Sequence, residues 1–438
     1  MVFLSPKHFW VFASTTAAIL YNEPPVTQLW NVTPAIDPSD ILYAGWDQIQ
    51  NVTNIEIYNG ISLNRTYAHH PILYSRGSGG KQVYLIHTSS VLDEDTLGQN
   101  VWLSMSRDGG YTWTEDKPIL PPALLPNQTE AETFKHWCDL NVQQRAFQTE
   151  AIIEHKGLLY AIAETLDFYC IGQDVSSQTG TGSRASGRVA RPLNFDGSYA
   201  GDPCWIFKNE WTDYVRYNET VYGTEYRMQW CDDVNILRNI LNLPEQVPAW
   251  SDFQINYGLY GQDRNHSIEE VTHAVWLDDA GLYQRFWRDI SPYNKSKAVW
   301  VEYSHTGEDW FPVIKERYGN DVYQTDIPDA ISKQYLLRIP EEEKSVLFSN
   351  PRYDVQDGIT TRQPLTMASA SGAGISQFDN IGVLRTNCSS IVSNDTRGYK
   401  ALGFQYPSAV VSGDNVIAAY SENKQNIWIS IVPKRSIP

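Results

Sequence analysis

This sequence predicts an all-β fold, and three observations carry that expectation. Short runs of β-branched and aromatic residues follow one another closely, each bounded by Gly, Pro, Asn or Asp. The runs group in fours, and the groups recur along the chain. Helical periodicity is nearly confined to one stretch, DVNILRNILNL at 233–243. Repeated four-stranded units with aromatic punctuation are the pattern of a β-propeller, so a single propeller of about seven blades is expected, with six as the alternative.

The first complete unit reads HPILYS, KQVYLIHTSS, QNVWLSMS and YTWTE, joined by turns such as GSGG and RDGG. The next opens with RAFQTEAII at 145–153 and leaves through Glu164. Two more follow: THAVWLDD, GLYQRFWRD, AVWVEYS and DWFPVI, then QYLLRIP, SVLFSNP, QPLTMASA and IGVLRT. The last unit, QYPSAVVS, NVIAAYS and NIWISIV, has only three strands. An open edge there would template aggregation, so a strand from residues 27–59, where QLWNVT and ILYAG are strand-like, is expected to close it. The segment 165–262 shows little that fits the pattern.

With 438 residues, 42% hydrophobic and 19% charged, the chain can bury a large core, and residues 21–438 are expected to form one catalytic propeller domain. A formal net charge of -17 argues against nucleic acid as a partner. An anionic sugar would therefore need a local basic pocket. Residues 1–20 read as a secretion signal: Lys7 and His8, an apolar run from Phe9 to Leu20, and small residues at Thr16, Ala17 and Ala18. The same run also suits a buried first strand. Nine N-x-S/T sequons, at Asn31, Asn51, Asn64, Asn127, Asn218, Asn265, Asn294, Asn387 and Asn394, favour the secretory reading. A secreted, extracellular glycoprotein is expected, monomeric, with no membrane partner because no later apolar run spans a bilayer. Of five cysteines, Cys138, Cys170, Cys204 and Cys231 suit one or two disulfides, leaving Cys388 as a buried free thiol.

The most specific motif is SRDGGYTWT at 106–114. Its pattern, Ser106, Asp108, Gly110, Thr112 and Trp113, resembles the Asp box, a turn between third and fourth strands in sialidase-like propellers. Asp108 can accept bonds from turn N–H groups, Gly110 tolerates positive φ, and Trp113 can pack between blades. Degenerate copies stand at SHTGEDW (304–310), with Thr306 for the aspartate, and at SASGAG (369–374), with Ser371. The box is scaffold, yet it locates a site by exclusion. Strands alternate in direction, so the opposite rim carries the starts of first strands and the ends of second strands.

Several histidines and arginines fall on that rim. The first unit supplies His69 and His70, then His87 and the run carrying Glu94, Asp95 and Gln99. The second supplies Arg145, Gln148 and Glu164; a later unit Glu270, His273, Arg288 and Asp289. Beyond them come Asn350, Arg352, Tyr353 and Arg362, and finally Tyr406 and Lys424. Such a set suits an acidic ligand and proton transfer. Individually, an arginine at a strand end is more often a surface ion pair, and His273 is equally at home as a hydrogen-bonded core residue. Alternation sends one of His69 and His70 toward the channel, and His70 is the expected one.

A sialidase would open its first blade with a Phe-Arg-Ile-Pro type motif, whose arginine begins a carboxylate-binding triad. Here the place reads Ala68, His69, His70, Pro71. Over residues 65–435 the pattern HHP, DEDTLGQNVWLSMSRDGGYTWT, RAFQ, SNP with RQPLTMAS, and QYPSAVVSGDNVIAAYSENKQNIWISIVP resembles another group. These are the propeller enzymes acting on L-rhamnosyl-α-1,4-D-glucuronate ends of arabinogalactan and gum arabic: rhamnose-glucuronate lyases and their rhamnosidase relatives. The resemblance implies β-elimination at C4 of a uronate. That chemistry needs a cation on the carboxylate, a base for the C5 proton and an acid for the leaving oxygen. Arg145 and Arg362 are the expected clamps and His70 the base, with His87, His273 or Tyr353 as acid. His69, Gln99, Gln148, Arg288, Tyr406 and Lys424 are expected to bind substrate. Neither metal nor cofactor is expected, since no metal-ligand spacing stands out. Two alternatives stay open: an exo-acting glycoside hydrolase, using either Glu94, Glu150 and Glu164 or a histidine route, and a noncatalytic glycan-binding propeller.

Overall fold

Along the strand Val83–Ser90, Val83 and Leu85 pack toward Ile417 and Ile429, while Tyr84 and Ile86 pack toward Phe147, Ile152 and Ala161. Both faces of one strand are therefore buried, each against a neighbouring sheet, which is why these runs are apolar almost throughout. The computed structural model describes residues 27–35, 45–77, 80–91, 94, 99–120, 143–169, 187–207, 229–246, 268–290, 298–308, 310–311, 323–352, 354–356, 359–372, 374–391 and 400–438. These form five sheets. From inside outward, the first sheet holds Tyr67–Ser75, Val83–Ser90, Asn100–Ser106 and Lys117–Leu120, joined antiparallel. The second holds Gln143–His155, Leu158–Tyr169, Arg188–Leu193 and Cys204–Phe207.

In the third sheet the inner strand is broken into Ile268–Glu269 and Val275–Leu277, followed by Leu282–Asp289, Ala298–Ser304 and the outer pieces Trp310–Phe311 and Tyr323–Pro328. The fourth is Tyr335–Ile339, Lys344–Ser349, Leu365–Ser371 and Asn380–Arg385. The fifth is Leu402–Ser412, Asn415–Glu422 and Asn426–Pro433, closed on its outer edge by the N-terminal strand Thr53–Asn59 and joined on its inner edge by the short hairpin Asp354–Gln356 and Ile359–Arg362. Separate apolar cores fill the spaces between sheets one and two, five and one, four and five, and three and four. A helix at Val234–Leu241 packs on the second sheet, and Pro244 just beyond it accepts a bond from Ala274 N in the third. Inner strands of all five sheets, with residues from the end of that helix segment, line one axial cavity of about 340 Å³.

Four sequence expectations meet corrections or limits here. The described residues supply five sheets, so a sixth or seventh blade would have to come from residues outside them. The strand that closes the last sheet is Thr53–Asn59, within the expected 27–59; of its two strand-like stretches, QLWNVT and its preceding Thr27 instead make the bridges Trp30 to Phe378 and Thr27 to Thr325, and ILYAG lies mostly outside the described residues. YTWTE does not form the fourth strand: Asp108 captures the N–H groups of Tyr111 and Thr112, so pairing resumes only at Lys117. Cys388 is half-buried rather than buried, with burial pushing its thiol up to about 11. Cys204 and Cys231 form a disulfide, while Cys138 and Cys170 lie outside the described residues. Among the described residues no helix is long and apolar enough to cross a membrane.

The Asp-box turn forms as its sequence requires. Asp108 Oδ1 accepts from Tyr111 N at 3.0 Å and Thr112 N at 2.9 Å, Oδ2 accepts from Thr112 Oγ1 at 2.6 Å, and Ser106 Oγ accepts from Gly110 N at 2.8 Å. Gly110 has φ 94, and a Cβ there would stand 3.0 Å from Ile417 Cδ1, so glycine is needed for conformation and for space. Trp113 packs on the core between the fifth and first sheets, its Nε1 donating to Gly110 O at 2.7 Å. At the degenerate copy Ser304 Oγ accepts from Gly307 N at 2.7 Å, and Thr306 Oγ1 from Glu308 N at 3.1 Å.

Candidate active site

On the rim opposite the Asp box, one backbone device recurs in the inner strands. In the first sheet His69 faces Thr88 and Ile72 faces Ile86, so His70 and Pro71 together stand against His87 alone. In the fifth, Gln405 faces Ser421 and Ser408 faces Ala419, leaving Tyr406 and Pro407 against Tyr420. In the second sheet Glu150 is the extra residue between Thr149 and Ala151. The third sheet's inner strand breaks just after Glu269. His70, Glu270 and Tyr406 have φ of 51, 57 and 54, a conformation that bulky side chains adopt only when their surroundings impose it. Each bulge turns an extra side chain inward, so that residues which strict alternation would separate converge.

Tyr406 lies at the centre. Its hydroxyl is 2.7 Å from both Glu270 carboxylate oxygens and 2.5 Å from Arg288 Nη1, and Arg288 also pairs with Glu270 Oε2. Arg362 Cζ lies 5.6 Å from the Tyr406 ring centre, and its Nη1 donates to Gln405 Oε1 at 2.5 Å. The Nε of Arg362 is buried without a partner, a donor left for a ligand. Asn350 ties the carbonyls of Arg362, Pro364 and Phe404 together at 2.9–3.1 Å and so fixes the segment that carries this arginine. The His69 ring centre is 4.2 Å from Tyr406 and 4.2 Å from His70. His70 Nε2 stands 3.4 Å from Glu94 Oε1 and 3.5 Å from Gln148 Nε2, while Lys424 pairs with Glu94 Oε2. Lys424 reaches across from a two-residue turn in which Asn423 and Lys424 both have positive φ and Gln425 N donates to Glu422 O.

Burial dominates the electrostatics. It lowers both imidazoles, His69 well below 6.5, so both are neutral near pH 7. It raises the Tyr406 phenol well above 10. Burial would also raise Glu94 and Glu270, but Lys424 and the two histidines outweigh it at Glu94, and Arg288, Lys333 and the Tyr406 hydroxyl at Glu270. Both carboxyls end below their ordinary range and are ionised at neutral pH. Burial brings Lys333 down to about 8, still charged at pH 7. Arg288, Lys333, Arg362 and Lys424 thus face Glu94 and Glu270, with Glu150 near Lys333 and Asp329 near Arg288.

Of the site residues expected from sequence, His69, His70, Gln148, Arg288, Arg362, Tyr406 and Lys424 come together here. His87 does not. Alternation puts it on the Val83 and Leu85 face, where its Nε2 bonds Asp116 at 2.8 Å and its ring packs 4.7 Å from Tyr58. His273 faces the axial cavity, its ring 4.6 Å from Tyr335, and burial beside Lys333 lowers it to about 4. Gln99 is fully buried and donates to Phe147 O at 3.3 Å, joining the first two sheets. Glu150 pairs with Arg188 Nε at 2.8 Å. Tyr353 and the Arg145 side chain lie outside the described residues. Glu270 had a rim position in the sequence but no role, and Lys333, Gln405 and Ser421 carried no signal. The parallel between HHP and QYP, each a polar pair before proline at the head of an inner strand, would have exposed Gln405 as the counterpart of His69. His69, His70 and Glu94 each offer an atom that could ligate a metal, all within 4.8 Å of one another.

No family model matches the chain, and no curated protein matches it. Among solved structures it is similar to a sialidase, at 18% identity and a TM-score of 0.62 over 93% of this chain and 35% of that one. It is also similar to a Hadza microbial sialidase, at 10% identity and a TM-score of 0.51 over 88% of this chain and 69% of that one. The chain thus spans about a third of the first sialidase's length. At these identities the likeness concerns the fold, and the fold is that of sialidase-like propellers.

Proposed function

We propose that this protein is an exo-acting glycoside hydrolase that releases a terminal acidic sugar by double displacement, with Tyr406 as the nucleophile. The observation that carries this reading is the Tyr406 hydroxyl held 2.7 Å from both oxygens of Glu270. A buried phenol is a poor nucleophile until a base takes its proton, and ionised Glu270 is placed to take it as the oxygen attacks the anomeric carbon. A tyrosine also suits an anionic sugar better than the usual carboxylate, because the neutral phenol does not repel the substrate's charge. Arg288 and Arg362 receive the substrate carboxylate, with the unspent Nε of Arg362 as one donor. The leaving oxygen takes its proton from solvent, and ionised Glu94, on the far side of His70, then takes one from the water that releases the sugar while Glu270 returns its proton to Tyr406. The two solved neighbours are sialidases by name, which supports a glycan substrate on this fold. Secretion belongs to the same proposal: the described sequon asparagines, Asn31, Asn51, Asn64 and Asn387, are all exposed.

β-Elimination on glucuronate, the activity implied by the sequence resemblance, keeps one supporting observation: His70 beside Glu94 offers a neutral base near the cationic groups. One digestion separates the readings. The protein is incubated with gum arabic and, separately, with sialylated glycans, and products are followed by mass, ultraviolet absorbance and proton NMR. A saturated acidic sugar first released with retained anomeric configuration supports the hydrolase. An unsaturated uronate overturns it in favour of the lyase, and saturable binding without turnover on every glycan overturns both.

A further inference from the structure

We propose that His69, His70 and Glu94 bind one divalent transition-metal ion of the zinc class. Two imidazoles and a carboxylate are a donor set that favours zinc, copper or nickel over magnesium or calcium. Their ligand atoms lie within 4.8 Å of one another, and His70 Nε2 and Glu94 Oε1, at 3.4 Å, already have the spacing that two ligands of a tetrahedral ion adopt, about 3.4 Å. His69 supplies an independent sign. Its Nδ1 lies 2.6 Å from Ser421 Oγ, which can pass its own proton to Gln405 O at 3.4 Å, an arrangement that suits the tautomer with the ring proton on Nδ1. That leaves a lone pair on Nε2, which is fully buried and has no partner. Outer-sphere fixing of one ring nitrogen while the other points its lone pair inward is how metal-ligating histidines are held. The strand geometry agrees: neighbours in a regular strand point to opposite faces, yet the bulge at His70 brings the two rings to 4.2 Å.

Lys424 is the counterweight. It occupies Glu94 Oε2 and leaves Oε1 to the imidazoles, so it can stay as an outer-sphere partner, but its charge weakens cation binding. This gives the test two signs. Full-length protein freed of metal with a chelator is titrated with zinc chloride by calorimetry, and with cobalt(II) while visible absorption is recorded. The expected result is one equivalent bound, with cobalt bands of a four- or five-coordinate nitrogen and oxygen site. Glu94→Gln and His69→Gln should each weaken binding by more than about tenfold, and Lys424→Met should tighten it by about tenfold. Thermal melts establish that each variant is folded. Because His69 is fully buried, Glu94→Gln decides if His69→Gln does not fold. Absent saturable binding, or an affinity unchanged by Glu94→Gln, overturns the proposal; the latter would place the ion elsewhere, for example at the half-exposed His155 and Asp233 pair. Binding is read without any glycan, so failure of the hydrolase reading leaves this result standing.

Discussion

Tyr406→Phe removes one oxygen from the centre of the site and little else. The ring keeps its contacts with His69, at 4.2 Å, and with Arg362, at 5.6 Å. What disappears is a hydroxyl shared between the two Glu270 oxygens at 2.7 Å and Arg288 at 2.5 Å. Glu270 retains its pairing with Arg288, so the buried charge is not orphaned. The stability cost should be that of a hydrogen bond to a charged partner, about 1.5–3 kcal/mol. The catalytic cost is different in kind. Without the phenol oxygen there is no covalent intermediate, and kcat should fall by about a thousandfold or more, roughly 4 kcal/mol of barrier. KM should move only a few-fold, since Arg288 and Arg362 still hold the substrate carboxylate. Initial rates on an aryl glycoside of the acidic sugar identified by digestion, paired with urea denaturation, measure both quantities. A variant that keeps near-normal kcat, or that loses activity only through KM, refutes Tyr406 as nucleophile.

Lys424→Met should raise the Glu94 carboxyl from its depressed position, so the acid limb of kcat/KM, where the base gains its proton, moves to higher pH; an unmoved limb would remove Glu94 from the base role. His273 is held neutral by burial, with its folded value lowered from 6.5 to about 4. Its contribution is therefore complete above pH 6.5 and lost as pH falls toward 4, about 3 kcal/mol in all. In urea titrations at pH 7.5 and 4.5, His273→Gln should show a pH effect smaller by about that amount, and an equal effect in both proteins counts against the buried neutral histidine. Asp108→Ala should destabilise by about 2 kcal/mol while kcat stays unchanged, because its bonds lie within a turn on the opposite rim; a fall in kcat in the folded variant would contradict a purely structural box. Enzymatic removal of N-glycans from protein made in a eukaryotic secretory host should lower its apparent mass, and no change would withdraw the secretory reading.

The sheets were legible because their signals are local. Apolar runs such as VYLIHTSS need only their own composition and flanking turns to declare a strand, and SRDGGYTWT declares its turn through residues that bond one another within a few positions. The rim was legible from strand direction alone, which placed together His70, Arg288, Arg362, Tyr406 and Lys424, and these side chains do cluster. Pairings were not. That Tyr406 would rest on Glu270, 136 positions earlier, depends on how two sheets approach across the axis. His87 failed for the converse reason: its rim address was right, but period-two alternation turned its ring outward to Asp116.

Bulges account for both outcomes. A regular inner strand shows the channel every second side chain, so at a given height each sheet can contribute one group and its neighbour is lost between sheets. An extra residue breaks that parity. In the first sheet it lets His69 and His70 share a cluster, and in the fifth it lets Gln405 hold Arg362 while Tyr406 meets Glu270. His69 stands where sialidase-like first blades place an arginine, and a buried neutral imidazole cannot supply that arginine's charge. On the proposed reading, carboxylate binding falls to Arg288 and Arg362, with Lys424 and Lys333 beside them. It follows that substrates will be distinguished here less by the strength of the carboxylate clamp than by what their neighbouring groups offer to His70 and Glu94.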